Sequence, residues 1–102
     1  MVMKNMKRLE EIIDIINKHK QELEDKFKIK EIGIFGSYVS GKIRKKSDID
    51  ILVEFKEPVG FFNFLDLEEY LKNLLETNID LVSKKALKPH IGEYILKEVV
   101  YI

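Results

Sequence analysis

The sequence predicts a small α/β domain of the α+β type, a short mixed sheet with helices packed against it. Three observations predict this class. Segments with apolar residues at helical spacing alternate with short apolar runs of strand length. Their order is helix, strand, strand, helix, strand, helix, and a helix between the second and third strands suits a right-handed crossover that sets them parallel. The length, 102 residues, provides one core and leaves no room for a separate substrate domain, so residues 1–102 are expected to form a single domain.

Composition narrows the class. Eighteen basic residues balance eighteen acidic ones, a formal net charge of +0. A nucleic-acid binder relying on global charge is thereby disfavoured, and no direct nucleic-acid contact is expected. With 45% hydrophobic and 35% charged residues, the chain reads as a water-soluble globular protein. There is no cysteine, which excludes disulfides and thiolate metal sites. No apolar run approaches the roughly 18 residues of a membrane span. The first residues lack the apolar core of a signal peptide. The expected location is the cytoplasm, with no membrane partner.

The elements follow from local pattern. Residues 4–27 place Met6, Leu9, Ile12, Ile13, Ile16, Leu23 and Phe27 mostly at helical spacings, and the stripe weakens at His19, Lys20 and Gln21, which leaves room for a break or bend. His19 reads as a solvated helix residue. Residues 30–35 form a strand that stops at Gly36. Ser37 then caps a short helix reaching about Gly41, with N–H groups left free for phosphate oxygens. Residues 42–46 are a basic loop carrying Lys42, Arg44, Lys45 and Lys46, either solvated or steering phosphate. Residues 48–55 make the second strand, and Pro58 and Gly60 end it. A helix is predicted from about Asn63 to Glu76, its phenylalanines serving the core rather than stacking on bases. A third strand over 79–82 contains Asp80, and 84–88 is a second basic loop. Pro89 opens the last helix, with His90 exposed and Ile91, Ile95, Leu96 and Val99 on the buried side. Tyr38, Tyr94 and Tyr101 read as packing residues.

The chemistry centres on Asp48 and Asp50. In a strand, residues two apart share a face, so these carboxylates point one way while Ile49 and Ile51 point the other. Two acids in an apolar setting repel each other unless a cation lies between them. A parallel crossover would bring Asp80 near them, a placement that periodicity alone leaves open. Three carboxylates from two strands suit one or two Mg²⁺ ions, which favour carboxylate, water and phosphate oxygens. Gly36 permits a tight turn and close backbone approach, so Gly36 and Ser37 form a candidate phosphate cradle. The implied reaction is attack on the α-phosphate of a nucleoside triphosphate with pyrophosphate leaving, Asp80 activating the acceptor hydroxyl as metal ligand or general base.

Gly36-Ser37, ten residues, then Asp48-x-Asp50 resembles the G-S-x10-D-x-D signature of minimal nucleotidyltransferases, in the DNA polymerase β-like superfamily. The likeness extends to the I-G-I-F-G-S strand and turn, the N-I-D-L-V strand and the terminal K-P-H-I-G-E-Y-I-L-K-E-V-V-Y segment, taken as a helix. It implies a small nucleotidyltransferase fold. It also implies Asp48, Asp50 and Asp80 as the catalytic metal-binding triad, and Gly36 and Ser37 as triphosphate ligands. Many relatives read G-S-x-A-R-G where this chain has Val39, Ser40 and Gly41, which leaves Lys42 and Arg44 as the candidate replacement cations.

Members this short often pair with a HEPN-domain protein as antitoxin and toxin. The resemblance therefore implies a Mg²⁺-dependent transfer of AMP from ATP to a tyrosine of a HEPN ribonuclease. The alternative is a non-catalytic antitoxin or nucleotide-sensing module that neutralises its partner by binding alone. Transfer to a small molecule or an RNA end is disfavoured, because this chain carries no added substrate-binding segment.

Overall fold

The computed structural model describes residues 8–42 and 48–102. The expected helix start at 4–7 and the basic residues Arg44, Lys45 and Lys46 lie outside the described residues. Helix α1 spans Leu9–Lys18 and α2 spans Lys20–Phe27. The Arg8 N–H donates to Glu11 Oε1 at 2.8 Å and closes the first turn of α1. The two helices meet at His19, where the apolar stripe weakens. Its backbone (φ −109°, ψ 10°) leaves the helical region, and its ring Nδ1–H donates to the Ile15 carbonyl at 2.9 Å. His19 is thus a half-buried hinge residue rather than a solvated one. The bend lets Leu23 and Phe27 join Ile12 and Ile16 in one core.

Strand β1 (Ile29–Phe35) leads through the short helix α3 (Ser37–Ser40) toward β2 (Ile49–Phe55). Helix α4 (Phe61–Leu75) crosses to β3 (Ile79–Ser83), and a single 3-10 turn (Lys84–Ala86) precedes α5 (Pro89–Glu98) and β4 (Val100–Tyr101). The sheet order is β3-β2-β1-β4. β2 and β3 run parallel, as the α4 crossover requires, while β1 is antiparallel to β2 and to β4, so the sheet is mixed.

One face of the sheet carries the core. Ile32 and Ile34 of β1, Ile49, Ile51 and Val53 of β2, and Leu81 of β3 pack with Ile12, Ile16, Leu23 and Phe27 and with Leu67, Leu71 and Leu75 of α4. Among the described residues, the twelve largest side chains that are less than 2% exposed are all Ile or Leu. Burying each contributes about 1.5–3 kcal/mol before entropic costs, so β2 is held firmly from one side. The alternation of β2 then sends Asp50 to the opposite face.

Two expectations at the C-terminus are corrected. The final helix does not run on to Tyr101. It ends at Glu98, and Val100 and Tyr101 pair with Ile34 and Gly33 of β1. A Cβ on Gly33 would lie 2.7 Å from Val99 Cγ2 and 2.9 Å from the Val100 carbonyl oxygen, so only glycine admits this added strand. Nor does α5 bury the predicted stripe. Ile91 is 61% exposed and Leu96 41%, Ile95 and Val99 are half-buried, and Gly92 is the buried residue of the helix. Tyr94 (71%) and Tyr101 (43%) are exposed rather than packed, whereas Tyr38 is buried. The periodicity marked an apolar face correctly, but the described residues cover it only in part, at Ile95 and Val99. On α4, Phe61 and Phe62 are likewise exposed, and Phe64 packs against the core.

Candidate active site

The acidic residues come together through strand register. Parallel pairing sets Asp50 opposite Asp80, with Ile49 opposite Ile79 and Ile51 opposite Leu81. The Ile49 N–H donates to the Asn78 carbonyl at 3.1 Å, which ties the start of β2 to the turn before β3. Asp50 and Asp80 therefore share the face away from the core. Asp48 precedes β2 and is exposed, as is Asp80, while Asp50 is half-buried.

The clustered charges act on one another. Burial, reinforced by the negative charges of Asp80, Asp48 and Glu98, pushes the Asp50 carboxyl up to about 6. Burial also raises the Tyr38 phenol, with the Asp48 charge adding to it, so Asp48 acts on both groups. Among the described residues no three His, Asp or Glu side chains converge into a preformed metal cage. The three aspartates are nonetheless an all-oxygen donor set, of the kind that suits a hard divalent cation, and their repulsion is what such a cation relieves.

The glycine turn lies against this cluster. Antiparallel pairing sets Phe35 opposite Asp50, so the next residue, Gly36, passes over the carboxylate. Gly36 has φ +80°, a conformation that favours glycine, and a Cβ there would fall onto Asp50 Oδ2. Sequence reasoning called for a glycine here and for a serine cap after it. The second expectation is corrected: Gly36 is the cap and Ser37 the first helical residue of α3. The positive φ turns the chain one residue earlier than a serine cap would. The Gly36 carbonyl accepts from Val39 N–H and Ser40 N–H, each at 3.0 Å, and the Ser37 carbonyl accepts from Gly41 N–H at 2.9 Å and Lys42 N–H at 3.1 Å. These bonds close the turn that carries Ser37, which is half-buried.

One residue escaped the sequence reading. Glu98, at the end of α5, accepts the Gly36 N–H at 3.0 Å from 62 residues away. Its sequence signal is faint, a lone acid between Leu96 and the pair Val99 and Val100. Of the second basic loop, Lys84 does not face the site. It pairs with Glu54 at 3.5 Å and Glu31 at 3.7 Å. A cavity of about 340 Å³ also lies elsewhere, at the other end of β2, lined by Glu54, Phe55, Pro58, Phe61, Phe64 and Lys85.

A mixed sheet with paired acids on two parallel strands, beside a glycine-serine turn, is the arrangement of a nucleotidyl-transferring enzyme. The nucleotidyltransferase domain family matches residues 16–102, and the chain belongs to that family. It is a nucleotidyltransferase, and members of the family generally use divalent metal ions. The protein adenylyltransferase MntA of Thermococcus cleftensis is 50% identical over 97 residues, covering 95% of this chain and 98% of the relative. A chain of a toxin–antitoxin crystal structure with AMP-PNP is 27% identical, with a TM-score of 0.70 over 83% of this chain and 69% of that one. The same fold recurs, at 23% identity and a TM-score of 0.65, in a complex of an MNT antitoxin with a tri-AMPylated HEPN toxin of Shewanella oneidensis. That match covers 88% of this chain and 70% of the other. No helix of the described residues is long and apolar enough to cross a membrane.

Proposed function

We propose that this chain, acting as one domain in the cytoplasm, is a Mg²⁺-dependent protein adenylyltransferase. It transfers AMP from ATP to a tyrosine hydroxyl of a HEPN ribonuclease toxin and so serves as its antitoxin. The observation that carries this reading is the Asp50–Asp80 register beside the Gly36 turn. The identity with the Thermococcus adenylyltransferase and the likeness to toxin–antitoxin complexes support the donor and the partner.

Asp48, Asp50 and Asp80 would hold the Mg²⁺, which when bound neutralises phosphate charge and polarises the phosphoryl oxygens. Ser37 donates its hydroxyl, and the turn its backbone N–H groups, to the β- and γ-phosphates. Asp80, the more exposed of the register pair, faces the acceptor and takes its proton. The acceptor oxygen bonds to the α-phosphorus as the bond to the bridging oxygen of the β-phosphate breaks, and pyrophosphate leaves.

Positioning the acceptor is the remaining task. On α5, Ile91 and Tyr94 are exposed and lie on the same helical stripe as Glu98, which touches the glycine turn. An apolar surface leading into the site favours a folded protein as acceptor over a small molecule. Incubating the chain with labelled ATP, Mg²⁺ and the partner toxin, then measuring intact mass, tests the reading. The expected result is a gain of one or more AMP units on the partner. Neutralisation of the toxin with no mass change would make the chain a binding antitoxin instead.

A further inference from the structure

We propose that Glu98 is a positioning residue that holds the Gly36 turn in the conformation that receives nucleotide phosphate. The inference rests on the reading that Gly36 and Ser37 are the phosphate cradle, and it adds a residue to that cradle from the far end of the chain.

Three observations carry it. The Glu98 carboxylate accepts the Gly36 N–H at 3.0 Å, a charge-assisted bond onto the residue whose backbone lies over Asp50. The backbone around Glu98 is pinned on both sides. The Val99 N–H donates to the Ile95 carbonyl at 2.9 Å, Val99 packs against Gly33, and β4 pairs with Gly33 and Ile34, three and two residues before the turn. The Ile102 N–H donates to the Ile32 carbonyl at 2.9 Å, and Lys20 Nζ donates to the Ile102 carbonyl at 2.8 Å, so the whole C-terminal segment is fastened to the frame. Finally, the placement is electrostatically unfavourable. A carboxylate at the last residue of a helix opposes the helix dipole, and this one also adds negative charge beside Asp50. Despite that cost, the side-chain oxygen is held on the Gly36 N–H.

Glu98 touches neither nucleotide nor acceptor in this scheme. It acts through Gly36, setting the turn so that its remaining donors and Ser37 face the phosphates. Glu98→Ala removes the acceptor, and Glu98→Gln keeps an oxygen on the same stem. Two readouts separate the contact from its consequence. Amide hydrogen exchange of the free protein reads the Gly36 N–H directly, and calorimetry with Mg²⁺ and ATP reads the cradle. In Glu98→Ala the Gly36 amide is expected to exchange at least about tenfold faster, and ATP to bind about tenfold or more weakly. In Glu98→Gln both are expected within about threefold of the parent, because the oxygen still accepts the N–H. Unchanged exchange of Gly36 in Glu98→Ala would overturn the contact. Equal or tighter ATP binding by Glu98→Ala would overturn its role, tighter binding meaning that Glu98 competes with phosphate. If the parent itself binds no ATP, the adenylyltransferase reading and this inference fall together.

Discussion

Asp50 of β2 stands directly across from Asp80 of the parallel neighbour β3, on the face of the sheet that the core does not occupy. Each chain segment is strongly apolar around its acid, and the core on the other face holds the two strands in register. The structure thus fixes two like charges side by side, and burial, reinforced by the neighbouring negative charges, raises Asp50 to about 6. Stability is given up locally where the nucleotide chemistry is expected.

The first consequence concerns pH. Asp50 has a folded-state value above its unfolded value of 3.8. Between about 3.8 and about 6 the native state therefore holds a proton that the unfolded state has lost, and stability falls as pH rises through that window. Asp50→Asn is expected to raise the melting temperature of the metal-free protein at pH 7.5 and to change it little near pH 3.5. Allowing for solvent screening, the gain is about 1–2 kcal/mol. Thermal melts of both proteins at the two pH values check it.

ATP binding is expected to require a divalent cation. The carboxylates of Asp48, Asp50 and Asp80 and a triphosphate cannot share one face unneutralised. Calorimetry should show affinity for ATP falling by at least about tenfold on chelation. Below pH 6, protonation of Asp50 should weaken the Mg²⁺-dependent part further. Equal affinity with and without Mg²⁺ would mean that the aspartates do not form the metal site.

Gly36→Ala tests the close approach of the turn to Asp50. The new methyl meets Asp50 Oδ2, and an L-residue at φ +80° adds strain of roughly 1–2 kcal/mol. The expected variant is folded but less stable by about 2 kcal/mol or more, with ATP binding lost. A thermal melt and an ATP titration measure the two effects, and parent-like affinity would place phosphate elsewhere.

Asp80→Asn separates docking from chemistry. Asp80 is exposed, and the proposed mechanism sets it on the acceptor side, so the amide should leave the complex with the HEPN partner intact. Loss of the acceptor's proton acceptor should slow transfer by about 100-fold or more. Co-elution with the partner and the partner's mass after incubation with ATP and Mg²⁺ give the two numbers. Normal transfer by this variant would remove Asp80 from the reaction.

What the sequence by itself determined is local in origin. The alternation that puts Asp50 opposite Ile49 and Ile51 is a property of any strand, although Asp48 itself lies just before β2. The glycine before Ser37 announces a turn, and helical spacing announces α1, α2 and α4. The G-S-x10-D-x-D pattern could be read without coordinates because its residues are close along the chain. Tertiary structure decided the rest, because those contacts depend on pairing between distant segments. Asp80 joined Asp50 only through the register of β2 on β3, which periodicity leaves open by any even number of residues. Gly36 displaced Ser37 as the cap because its backbone had to clear Asp50. The apolar stripe of α5 was legible as a stripe, but whether anything buries it depends on what the rest of the fold places there, and Ile91 and Tyr94 stay exposed. Glu98 was invisible for the same reason: its one informative contact spans 62 residues and exists only because Gly33 admits β4 beside β1.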